Sequence, residues 1–115
     1  MRMLARITPG PTWRPGRTVW EQGPAVAAHL EYMRTRYADG SLLVGGPLRD
    51  GMSGMALLDV ADLDVADLDV ARAFAASDPA VQADAMTYEV AEVRTYFDVF
   101  SAARSAGATH ALASP

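Results

Sequence analysis

His29 and Asp78 are two residues of this 115-residue chain that could take part in proton chemistry, each with a purely structural alternative. His29 lies in "AVAAHLEYM", residues 25–33, where an apolar stripe of Val26, Leu30, Met33 and Tyr37 recurs at helical spacing. On a helical wheel His29 falls about 60–70° from the centre of that stripe, flanked by Tyr32 and Arg36. It is thus a boundary residue, and an unperturbed imidazole, titrating near about 6.5, is the tunable proton acceptor such a position suits. The plainer alternative is a histidine that hydrogen-bonds a loop carbonyl.

Asp78 follows a helical stretch and precedes Pro79. A carboxylate at a helix C-terminus meets the negative end of the dipole unless a cation or donor answers it, and a histidine is one such answer. The other reading is that Asp78 caps a new turn, "DPAVQADA", with Pro79 in its first position. The sequence leaves these open. "VGGPL", residues 44–48, supplies further candidates: Gly45 and Gly46 allow close approach of a ligand or another backbone, and Pro47 marks an edge or strand end. Arg14 and Arg17 could meet an anion, or simply face water.

The elements that must position these residues follow from pattern. "MRMLARI" alternates as a first strand, with Met1, Met3 and Ala5 on one side and Arg2, Leu4 and Arg6 on the other. Residues 8–24 hold four prolines, three glycines and two tryptophans, a long loop that reads as ordered because Trp13 and Trp20 are costly to leave in water. Pro24 opens the first helix and Gly40 ends it. Residues 41–48 and 54–60 form a hairpin around Asp50-Gly51. A second helix is predicted over 67–77, capped by Asp67 and burying Leu68, Val70, Ala71, Phe74 and Ala75, and it stops where Pro79 forbids helical geometry at Asp78. Residues 86–97 alternate as the last strand. The order βαββαβ predicts an α+β, ferredoxin-like domain over 1–97, an antiparallel sheet with both helices on one face, followed by an extension at 98–115 that is partly helical near Arg104 and then disordered. The bare face of such a sheet predicts a homodimer. His110, in that extension, is given no role.

"LDVADLDVADLDVA", residues 58–71, repeats a five-residue unit three times. Five residues turn a helix by roughly 140° and flip sides in a strand, so the repeat matches no structural period and reads as an inserted connection. Its five carboxylates lack the glycine and terminal glutamate of a calcium loop, so no metal is expected. A net charge of −4, with ten arginines and no lysine, excludes a nucleic-acid surface. No run is long and apolar enough for a membrane span, and no cysteine offers a thiolate, so a soluble cytoplasmic protein is expected.

The ordered set "HLEYM…DGSLLVGGPLRDGMSGMALLDV…VARAFAASDPAV" resembles the YCII-related (YciI-like) family, from about residue 22 to 95 and further if "PGPTWRPGR…EQGP" is included. The resemblance implies a ferredoxin-like fold pairing into a dimeric α/β barrel, and a histidine–aspartate pair at His29 and Asp78 in a pocket near the dimer interface. A few members are linked to dehydrochlorination of aromatic-degradation intermediates, and similar barrels of muconolactone isomerases and polyketide cyclases do cofactor-independent proton chemistry. The expectation is therefore a cofactor-free lyase, isomerase or cyclase acting on a compact, polar, enolisable or cyclic molecule. His29 would be the base, Asp78 its orienter, and Arg17, Tyr32, Gly45, Gly46 and Pro47 the substrate contacts. The alternative is a non-catalytic module that holds a small metabolite. The aspartate repeat and the long tail depart from the family pattern and put the pocket edges in doubt.

Overall fold

A computed structural model describes residues 2–60 and 67–100. In chain order it contains β1 (Arg2–Pro9), a 3-10 turn (Val19–Glu21), α1 (Pro24–Ala38), β2 (Leu42–Pro47), β3 (Gly54–Asp59), α2 (Asp67–Ala76), α3 (Pro79–Gln82) and β4 (Met86–Val93). The strands form one sheet in the order β2-β3-β1-β4, with every neighbouring pair antiparallel. This is the ferredoxin-like α+β arrangement that the element order predicts. Among the described residues no helix is long and apolar enough to cross a membrane.

Alternation in β1 builds the core. Met3, Ala5 and Ile7 are buried and meet Ala56 and Leu58 of β3, Val26 of α1 and Ala71 of α2 in one cluster. Fully burying a side chain such as Met3 contributes about 1.5–3 kcal/mol, so this row anchors the sheet beneath the helices. On the opposite face Leu4 and Val44 stay exposed.

Three sequence expectations shift. Tyr37 is 66% exposed and not part of the buried stripe, whereas His29 is buried with Val26. From Arg34 to Gly40 only Arg36 is even half-buried, so the last turn of α1 has left the core before Tyr37 is reached. The last strand ends at Val93 rather than at residue 97. The described pairing of β4 with β1 runs from Met86↔Pro9 to Val93↔Arg2, and Phe97 is 98% exposed. The long loop begins at Gly10, because β1 keeps pairing as far as Pro9↔Met86.

That loop is ordered by specific bonds. The Gly10 and Thr12 N–H groups donate to the Ala85 and Asp84 carbonyls, and a Cβ at Gly10 would run into the Asp84 carbonyl oxygen, which makes glycine necessary there. The Gln22 side chain accepts from the Arg14 N–H at 2.7 Å and donates to the Arg14 and Arg17 carbonyls at 2.9 and 3.1 Å. Trp13 is thereby buried. Of the aspartate repeat, the first copy begins in β3 and the last lies in α2, while residues 61–66 fall outside the described residues, as do Arg104 and His110.

Candidate active site

Asp78 sits between α2 and α3, fully buried, and the two readings of it combine. One oxygen, Oδ1, accepts from the Ala80 N–H at 2.9 Å and caps the four-residue α3, whose first residue is Pro79. The other, Oδ2, meets His29 Nδ1 at 2.5 Å. The same Oδ2 accepts from the Tyr88 hydroxyl, also at 2.5 Å. Three elements remote in sequence, α1, the α3 cap and β4, thus converge on one carboxylate.

The electrostatics set the proton positions. Burial pushes the Asp78 carboxyl up and is the largest single influence on it. The hydrogen bonds from His29 and Tyr88, attraction to His29 and the Ala80 N–H together outweigh burial, so Asp78 stays below the usual carboxylate range. Burial first, then the charge of Asp78 and the bond to it, drive the Tyr88 hydroxyl far above the ordinary tyrosine value, so Tyr88 remains a donor. An ionised Asp78 can only accept, so the hydrogen-bond network assigns the His29 proton to Nδ1. In the neutral ring Nε2 then carries a lone pair, and it has no partner among the described residues.

His29 also lines a cavity of about 140 Å³. One wall is the long loop, with Trp13, Val19 and Trp20; another is the β2–β3 hairpin, with Gly45, Gly46, Pro47, Met52 and Ser53; Ile7, Met33 and Met86 complete the floor. Asp50 fixes the hairpin end. Its carboxylate accepts from the Ser53 hydroxyl at 2.5 Å and from the Ser53 and Met52 N–H groups at 2.8 and 2.9 Å, and these bonds hold it down at about 2.

Of the sequence-predicted site residues, His29, Gly45, Gly46 and Pro47 come together on this cavity, with Asp78 behind His29. Tyr32 and Arg17 do not line it. The Tyr32 hydroxyl donates to the Phe74 carbonyl at 2.7 Å and its ring packs edge-on against Phe74, so it is spent on joining α1 to α2. Arg17 is exposed on the loop, its carbonyl held by Gln22. Tyr88 was missed by sequence reasoning. The available signal was its place two residues after the inward-facing Met86, where a tyrosine hydroxyl on a core face requires a partner. The cavity walls are mostly apolar side chains, with His29 and Ser53 as polar ones. Among the described residues no three His, Cys, Asp or Glu side chains gather as metal ligands.

The family model for the YCII-related domain matches residues 12–95. That span includes α1 with His29, the β2–β3 hairpin, Asp78 and Tyr88. A search of the curated proteins finds no match.

Proposed function

We infer, from the premise that the chain belongs to the YCII-related family, that it is a cofactor-independent enzyme of the lyase, isomerase or cyclase type with His29 as its general base. The observation that carries this reading is one ring with two different nitrogens. Nδ1 is held by a buried, ionised carboxylate, and Nε2 is left unpartnered on a ring that borders an open cavity. A base–orienter pair requires that division.

In the proposed step a C–H or O–H bond of the substrate breaks and its proton goes to Nε2. The electron pair moves onto an adjacent carbonyl oxygen, or forms a double bond as a leaving group departs with its own pair. Asp78 stabilises the imidazolium and keeps the ring from turning. The backbone around Gly45 and Gly46 is the candidate for steadying developing negative charge, and Tyr32 and Arg17 are not among the residues lining the cavity. A homodimer belongs to the same proposal: Leu4 and Val44, 39% and 43% exposed, lie on the sheet face opposite the helices, where a second copy would cover them.

The test is exchange of α-hydrogens of cyclohexanone and related enolisable rings in deuterated buffer, followed by proton NMR. The chain should accelerate exchange and His29→Gln should lose about 10²–10⁴-fold of that acceleration. Equal acceleration by both proteins would remove the base, leaving a ligand-holding module.

A further inference from the structure

We propose that the cavity beside His29 admits uncharged molecules of single-ring size and turns away carboxylates. The inference deepens the preceding one by naming the class of guest, but its observations stand on the walls of the cavity and not on catalysis.

Size comes first. A cavity of about 140 Å³ is close to the roughly 150 Å³ of apolar space known to hold one benzene molecule. Chemistry narrows the class further. The lining contains four methionines (Met33, Met52, Met55 and Met86) and both tryptophans of the chain. Thioethers and indoles offer polarisable, flat-sided surface suited to a ring.

Charge decides the rest. No arginine, aspartate or glutamate is among the lining residues, and His29 is their one titratable side chain. The exposed arginines of the loop, Arg14 and Arg17, are outside it. Among the described residues the imidazolium of His29 is the only cation that lines the cavity, and it already has its counter-charge, Asp78 Oδ2 at 2.5 Å from Nδ1. A guest carboxylate would bring a second negative charge towards that pair and surrender its hydration to thioether and indole walls, which is unfavourable on both counts. A neutral guest meets neither cost. Its charge appears only when His29 has taken a proton, when an imidazolium stands beside the new anion.

Trp13 and Trp20 report on occupancy directly, because they are the only two tryptophans and both border the cavity. The full chain, labelled with nitrogen-15, would be titrated at pH 8 with phenol and cyclohexanone, and in parallel with benzoate and cyclohexanecarboxylate. The neutral rings should shift the Trp13 indole N–H signal saturably, and each matched carboxylate should bind at least tenfold more weakly. Equal or tighter binding of the carboxylates, or no saturable shift with either neutral ring, would overturn the assignment while leaving the His29→Gln exchange result untouched. Val19→Arg places a cation on the loop wall without altering the His29–Asp78 pair. It should strengthen benzoate binding at least tenfold, and a folded Val19→Arg protein that still rejects benzoate would refute missing positive charge as the cause.

Discussion

Two buried charged clusters stand out among the described residues, and their contrast bears on the proposed role of one of them. At the start of β1, Arg2 is 3% exposed and donates to Asp59 Oδ1 at 2.6 Å and to Asp98 Oδ2 and Oδ1 at 2.6 and 3.2 Å, with its guanidinium over the Phe100 ring. Between α1, α3 and β4, Asp78 receives His29, Tyr88 and the Ala80 N–H. Both are charges withdrawn from water, and both are closely bonded. The Arg2 cluster ties the beginning of β1 to the end of β3 and to the segment after β4, and its donors are engaged in doing so. The Asp78 cluster leaves one nitrogen, His29 Nε2, without a partner among the described residues, on a ring that lines the cavity. Burial of charge alone therefore does not single out a site; what differs between the two clusters is an unused ring nitrogen on a residue that lines a cavity.

The largest effect should come from striking the open end. His29→Gln keeps a side-chain N–H that can still donate to Asp78, so the fold should survive with its urea midpoint little changed. Hydrogen exchange of an enolisable ring should nonetheless fall by about 10²–10⁴-fold. The mirror experiment is Arg2→Met, which takes the guanidinium away from Asp59 and Asp98. It should cost about 3 kcal/mol of stability in urea unfolding, and exchange activity per folded molecule should stay at the parental level. If Arg2→Met lowered specific activity as His29→Gln does, the division between the two clusters would collapse.

How much of this was legible in the sequence depends on whether local or distant partners decide each feature. The β1 alternation, the Asp50-Gly51 turn and the Pro79 stop are local, and each appears where the sequence puts it. The rotation of α1 was less legible: Ala25, Ala27 and Ala28 spread small apolar residues around the helix, so no sharp face chooses between His29 and Tyr37. The end of β4 could not be read from β4 alone, because the extent of a strand depends on its partner, and Val93 pairs with Arg2 of β1. Gly45, Gly46 and Pro47 were read from a strand end that tolerates close approach, and they do border the cavity. Arg17 went astray because the loop conformation is decided by the Gln22 amide reaching back five and eight residues. The methionines that make the cavity apolar come from α1, β3, β4 and the hairpin turn, and only the folded chain assembles them.

Tyr88→Phe sharpens the comparison from inside the Asp78 cluster. It removes one of three donors to a buried carboxylate but leaves His29 and its free nitrogen in place. A cost of about 2 kcal/mol in urea unfolding is expected. Loss of exchange activity should be far smaller than for His29→Gln. Tyr88 is thus a positioning residue, and equal losses in the two variants would make it part of the reacting set.

The smallest effect is a difference between two pH curves, and its sign follows from the direction of the Asp78 shift. The folded carboxyl lies below its ordinary value, so the unfolded chain binds a proton there more readily than the native one. Its stabilising contribution is complete above about pH 5 and is lost as the pH falls from about 4 through the folded value. Asp39, Glu21 and Asp50 are depressed as well, through bonds to Ser41, Thr18 and Ser53, so the whole protein weakens in acid and the wild-type curve alone assigns nothing. Those three are unchanged in Asp78→Asn, which makes the gap between wild type and Asp78→Asn the informative quantity. Urea midpoints should differ most near neutrality and converge as the pH falls through the folded value, because a protonated Asp78 no longer offers Oδ2 to both His29 and Tyr88 as a charged acceptor. A gap of constant width from neutrality into acid would mean that Asp78 is not held ionised, and the assignment of the His29 proton to Nδ1 would fall with it.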